Sequence, residues 1–132
     1  DLLGTTTAAH IHCCTQDPLM GTAGVATTVP NFPDFPSGVT TGLYERTFSL
    51  ADASFYNPAY ITANGGTVDS ARAALLGGLA SNESYFNIHT TEYPGGEIRG
   101  FLVAAPIPEP SAWGMLALGI GALGVWGRRR RA

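Results

Sequence analysis

The chain has 132 residues, of which 45% are hydrophobic and 13% are charged, with 17 Gly, 9 Pro and no Lys. This length allows one domain, and the low charged fraction excludes a surface-charged helical bundle and a disordered acidic or basic chain. Ten acidic residues against three arginines give residues 1–127 a formal charge of -7, and four arginines follow them. An acidic body without lysine cannot neutralise a phosphate backbone, which excludes nucleic acid as a partner.

The first half of the chain predicts short strands. Residues 5–12 and 24–29 are rich in Thr, Ala, Val and Ile, as β-strands are, and a proline-punctuated loop over residues 30–38 follows them. Residues 43–49 alternate so that one side of a third strand is aromatic.

The second half predicts two short helices and then a β-hairpin. Asn57 is a helix N-cap with Pro58 at the first helical position, which indicates a helix of at most two turns. A second helix covers residues 68–79, and residues 84–90 and 97–103 form the two strands of the hairpin. The apolar stripe of the second helix comprises Val68, Ala71, Leu75, Leu76 and Leu79, and Gly77 and Gly78 mark its end.

The C-terminus predicts a membrane helix over residues 111–127, which carry no charge. Such a helix is about 25 Å long, within the range of membrane-spanning segments. Trp113 and Trp126 are placed as interfacial anchors, and the proline-rich segment 104–110 before the helix is an extended linker. A buried core helix or a signal-peptide segment is the alternative, which the polybasic flank disfavours. The arginines that would hold this end in the cytoplasm are Arg128, Arg129, Arg130 and Arg131.

Three histidines are the candidate metal ligands. His10 and His12 lie two residues apart on a predicted strand, so both imidazoles project to one face. His89 lies on another strand, on the same side as Tyr85 and Asn87. If the two strands are neighbours in a sheet or face each other, the three imidazoles converge as copper or zinc ligands. The alternative is that they are structural histidines bonded near strand ends.

Cys13 and Cys14 are adjacent in the chain. Neighbouring side chains on a strand point to opposite faces, so the two thiols do not fit one closed tetrahedral metal site. A vicinal disulfide and bonds to cysteines of a preceding segment both remain open.

Glu97 and Arg99 share one face of the last predicted strand. They form either an exposed ion pair, worth less than about 1 kcal/mol, or a site in which Arg99 bridges strands or holds a ligand carboxylate. Gly96 and Gly100 flank them and predict a close backbone approach there.

The motifs AHIH at residues 9–12, YFNIHT at 85–90 and GGEIRG at 95–100 resemble the CHRD domain, the module named after chordin. The resemblance covers about residues 3–103, so we expect residues 1–103 to form a CHRD-like domain. The family pattern has further strands before AHIH, and the chain begins without Met, so we expect the sequence to be a piece of a longer exported protein.

The C-terminus is similar to the PEP-CTERM sorting signal of Gram-negative bacteria, over residues 108–132. The similarity rests on Pro108, Glu109 and Pro110, followed by the apolar helix and the arginine cluster. It implies an exosortase-type membrane protease that cuts near the motif and releases the domain towards the cell surface or matrix.

Together these features predict an all-β fold, an immunoglobulin-like antiparallel Greek-key sandwich with one or two inserted helices and one C-terminal membrane helix. The expected function is that of a non-enzymatic surface or matrix module, without a cofactor, that binds an unidentified partner. The alternative is a protein that binds copper or zinc through His10, His12 and His89. In one version of this alternative the bound metal is redox-active. The sandwich also resembles copper-zinc superoxide dismutase in carrying a His-x-His pair, which is an analogy of fold.

Overall fold

The computed structural model describes residues 1–104, which form one small antiparallel sheet, two α-helices and a 3₁₀ turn. The predicted first strand, the two helices and the hairpin are confirmed, with bounds that differ by up to a few residues. The elements are β1 (Thr6–His12), the 3₁₀ turn (Ala53–Phe55), α1 (Pro58–Ala63), α2 (Val68–Ala80), β2 (Tyr85–Thr90) and β3 (Ile98–Phe101).

The sheet has the order β1-β2-β3, with both pairs antiparallel. Residues that pair across antiparallel strands project to the same face, so the register divides the sheet into two chemically different surfaces. The histidine face carries His10, His12, Tyr85, Asn87, His89 and Arg99. The apolar face carries Ala9, Ile11, Phe86, Ile88 and Ile98.

The core against the apolar face is aromatic. Phe32 is 4% exposed and its ring centroid lies 6.2 Å from that of Phe86 on β2 and 4.9 Å from that of Phe48. Phe55 from the 3₁₀ turn adds a fourth ring, 6.3 Å from that of Phe32. Burial of these large rings supplies the hydrophobic stabilisation of the sheet.

The strand predicted over residues 43–49 is wrong. The segment does alternate between half-buried and exposed side chains, because Tyr44 and Phe48 pack against the core while Leu43 is 89% exposed. The segment contributes rings to the core but pairs with none of β1–β3. The predicted strand 24–29 is likewise reduced to isolated bridges, since the N–H groups of Ala26 and Thr27 share the carbonyl of Ile11 and no ladder follows.

The antiparallel sheet agrees with a β-rich fold, but the predicted sandwich is not confirmed, because residues 1–104 contain a single sheet. Within that part of the chain, no helix has the length and apolar content needed to cross a membrane. The predicted membrane helix over residues 111–127, the arginine cluster and nearly all of the linker lie outside the described residues.

The helices begin at well-formed caps. Asn57 caps α1, as predicted, by accepting a hydrogen bond from the Ala59 N–H, with Pro58 at the first helical position. Thr67 and Ser70 form a capping box at the start of α2 that the sequence analysis missed.

The apolar stripe predicted for α2 is wrong at one position, because Leu76 is 47% exposed while Gly78 is buried. Gly78 does not end the helix, which continues to Ala80. Cys13 and Cys14 form a vicinal disulfide, and a Cβ placed on Gly78 would lie 2.5 Å from each sulfur atom. Because glycine has no side chain at residue 78, α2 packs directly on the disulfide that follows β1.

We predict that Gly78→Ala lowers the free energy of unfolding by about 1–3 kcal/mol, the usual cost of overpacking. The matched control is Gly77→Ala on the same helix, where an added Cβ meets nothing within 4 Å. Helix propensity alone makes that substitution stabilising by up to about 1 kcal/mol. Urea denaturation of both variants under oxidising conditions measures the difference, and equal effects of the two substitutions would contradict the packing.

Candidate metal centre

The structure brings the three histidines together. His10 and His12 project from β1 and His89 projects from β2, and one ring nitrogen of each lies within 4.8 Å of those of the others. The ring centroids are 5.3–5.9 Å apart. Ala8, opposite His89 in the register, is small enough to leave the rings this space. The convergence expected from the strand pattern is thus present.

Backbone carbonyls determine which nitrogen of each ring carries the proton. His10 Nε2 donates to the Pro30 carbonyl at 2.7 Å, His12 Nδ1 to that of Ala23 at 2.9 Å, and His89 Nδ1 to that of Pro94 at 2.7 Å. A carbonyl only accepts, so the nitrogen that faces it carries the proton and the other nitrogen has the lone pair. Metal-ligating histidines are held in this way by their second nitrogen.

The second ring nitrogens of the two β1 histidines are buried. His10 and His12 are 6% and 7% exposed, and neither His10 Nδ1 nor His12 Nε2 has a hydrogen-bond partner within residues 1–104. Such orphaned polar atoms are costly and rare. Burial lowers the pKa of both imidazoles, and it outweighs the opposing hydrogen bonds to the carbonyls of Pro30 and Ala23. Both rings are therefore neutral at pH 7, which is the form that coordinates a metal.

Tyr85 fixes the position of the His12 ring. Its ring stacks on His12 with a centroid distance of 4.8 Å and an interplanar angle of 9°, and its hydroxyl accepts a hydrogen bond from the Ala23 N–H. The guanidinium of Arg99 lies 5.3 Å from the Tyr85 centroid. Strand alternation places Tyr85 beside the histidines, whereas no side-chain pattern marks the carbonyls of Ala23, Pro30 and Pro94.

Comparison with protein families adds an independent observation. The family model of the CHRD domain matches residues 1–102, which is most of the chain. The chain belongs to the CHRD-domain family. The PEP-CTERM protein-sorting motif matches residues 106–131, which include Pro108, Glu109 and Pro110 and the arginine cluster. No characterised protein and no solved structure matches the chain.

In this CHRD domain Glu97 and Arg99 do not form the predicted ion pair. The Glu97 carboxylate accepts hydrogen bonds from the Leu3 N–H at 2.6 Å, the Gly4 N–H at 3.1 Å and the Thr90 hydroxyl at 2.8 Å. Although desolvation opposes ionisation, these bonds lower the pKa of Glu97. The carboxylate thus ties the segment before β1 to the end of β2.

The other charged residue of the last predicted strand, Arg99, makes its contacts with a loop and with Tyr85. It is exposed, and its guanidinium donates to the Gly21 carbonyl at 3.1 Å besides covering Tyr85. Arg99 therefore links β3 to the loop that also supplies the Ala23 carbonyl to His12.

Of the two glycines expected at a close approach, only Gly96 is at one. Gly96 has a φ of 121°, and a Cβ there would overlap the side-chain amide of Asn87 on the histidine face. Both the backbone conformation and the space demand glycine. An added Cβ on Gly100 meets nothing within 4 Å, so that prediction was wrong. The position is exposed on β3, where no neighbour restricts its size.

We predict that Gly96→Ala lowers the free energy of unfolding by about 1–3 kcal/mol, because the substitution is strained and displaces Asn87. Gly100→Ala is the matched control in the same hairpin and leaves stability within about 0.5 kcal/mol. Thermal and urea unfolding test the pair, and a destabilising Gly100→Ala with a silent Gly96→Ala would contradict this geometry.

Proposed function

We propose that this protein is an exported CHRD-domain protein of the cell surface or matrix that binds one copper or zinc ion through His10, His12 and His89. The observation that carries the proposal is that one ring nitrogen of each histidine lies within 4.8 Å of those of the other two. A backbone carbonyl accepts a hydrogen bond from one nitrogen of each ring, so each ring keeps a second nitrogen with a lone pair that can bind a metal.

The chemistry of the donors supports copper or zinc. Imidazole nitrogen suits both ions, whereas calcium and magnesium prefer oxygen ligands. Cys13 and Cys14 are bonded to each other, so they offer no thiolate. Three protein ligands leave a further position for water or another small ligand.

We propose a binding role and no catalytic one. The chain contains three histidines in all, and the proposed site uses each of them as a ligand. None is then left for proton transfer at the metal, the task for which histidine is the commonest side chain.

The sorting motif supports export. A PEP-CTERM motif implies processing by an exosortase-type system, and its arginine cluster would hold the C-terminus inside the cell until cleavage. We propose that the protein is first anchored in the inner membrane by residues 111–127 and is released by a cut near Pro108–Pro110. The disulfide of Cys13 and Cys14 suits the oxidising space outside the cytoplasm.

A second candidate function is that of a metal-free binding module. A groove of about 410 Å³ lies beside the apolar face of the sheet, lined in part by Phe35, Tyr44 and Ile98. Exposed apolar surface of this kind suits a partner. The metal content of the purified domain separates the two candidates.

We predict that the domain, exported to the periplasm without residues 105–132, binds about one equivalent of copper or zinc. His10→Ala and His12→Ala together abolish the bound metal, and His89→Ala weakens it strongly. Glu97→Gln, which alters a neighbouring carboxylate that is no ligand, leaves the stoichiometry unchanged. Elemental mass spectrometry measures the content, and a folded, metal-free wild type that takes up neither ion would favour the metal-free module.

We also predict that a strain without its exosortase retains the full-length protein in the membrane. Pro108→Ala with Pro110→Ala should have the same effect in a competent strain, while Pro94→Ala in the folded domain should be processed normally. Mass spectrometry of the mature C-terminus measures this, and a natural end at Ala132 would show that the helix is a permanent anchor.

A further inference from the structure

The three ring nitrogens proposed as ligands are not equivalent. Within residues 1–104, His10 Nδ1 and His12 Nε2 have no hydrogen-bond partner. His89 Nε2, by contrast, lies 3.3 Å from Nδ2 of Asn87. Because His89 Nδ1 donates to the Pro94 carbonyl, its Nε2 is the acceptor and the Asn87 amide is the donor. One of the three proposed ligand atoms is thus already engaged.

The Asn87 amide is held in this orientation from three sides. Asn87 is 3% exposed, and its Nδ2 also donates to the Gly95 carbonyl at 3.2 Å. The absent side chain of Gly96 makes the space that the amide fills. The turn over residues 94–96 therefore holds His89 and Asn87 together, since Pro94 binds the first and Gly95 and Gly96 fix the second.

We propose that Asn87 is the affinity-determining residue of the metal site, because its amide occupies the ligand lone pair of His89 and must be displaced when the metal binds. This inference rests on the proposed function. The metal meets two free nitrogens on β1 and recruits His89 only after the Asn87–His89 hydrogen bond breaks. Asn87 is a positioning residue, since it acts on the metal through His89.

Replacing Asn87 should change metal affinity in the opposite direction to replacing a residue that only supports the site. The Asn87–His89 hydrogen bond stabilises the metal-free state and is lost in the metal-bound state, so its removal favours binding. Asn87→Leu, which keeps the branched shape and the number of heavy atoms and removes the amide, should tighten zinc binding about three- to tenfold, the worth of one net hydrogen bond. A residue that merely supported the site would weaken binding when replaced.

A double-mutant cycle tests the proposal on the folded domain, with zinc affinity measured by competition against a chromophoric chelator. We expect Asn87→Leu to tighten binding in the wild type and to change it less than about twofold in a His89→Ala background, where the hydrogen bond no longer exists. Asn64→Leu is the control, since Asn64 makes its side-chain hydrogen bond to Tyr60 on α1. It should leave zinc affinity unchanged.

The wild type gives a second readout that needs no variant. The side-chain amide resonances of Asn87 should shift on addition of zinc, in step with those of His89, as the amide proton loses its imidazole acceptor. Weaker or equal binding by Asn87→Leu, or unmoved Asn87 amide resonances in the zinc-bound wild type, would overturn this inference and leave the metal site standing. A domain that binds no zinc or copper at all would overturn both.

Discussion

The site and the core both depend on the register of β1 against β2. His10 lies opposite Asn87 and His12 opposite Tyr85, which puts every imidazole on one face, while Ile11, Phe86 and Ile88 lie on the other. A slip of one residue would move His10 and His12 into the aromatic core and Ile11 out of it. Burial of Phe86 and Ile11 against the core therefore selects the same pairing that assembles the three histidines.

The pairing of β1 with β2 brings the imidazoles close together but does not fix the orientation of their rings. That is achieved by carbonyls from three irregular segments, at Ala23, Pro30 and Pro94. Each carbonyl accepts a hydrogen bond from the proton-bearing nitrogen of one ring, which fixes the orientation of that ring. Such a site suits an exported protein, which must acquire its ion in competition with other ligands outside the cytoplasm.

Local pattern predicted the parts of the fold that depend on which side chains are buried. The alternation over residues 85–90 and the spacing of His10 and His12 predicted the histidine face. The Asn57 cap placed α1, and the apolar stripe placed α2. The pattern failed where the formation of a strand depends on a backbone partner. Residues 43–49 are the example, because their aromatic rings are half-buried although the segment forms no strand. The pattern also failed at Gly78, which is buried because the Cys13–Cys14 disulfide lies against it. Side-chain patterns carry no information about which loop carbonyls accept hydrogen bonds from the histidines.

The most direct test is long-range ¹H–¹⁵N NMR of the histidine rings, first without metal and then with zinc. The structure predicts that the metal-free protein carries its ring protons on His10 Nε2, His12 Nδ1 and His89 Nδ1. Zinc should then shift His10 Nδ1, His12 Nε2 and His89 Nε2 together. Protons on the opposite nitrogens, or ring resonances that zinc leaves unchanged, would contradict a preorganised three-histidine metal site.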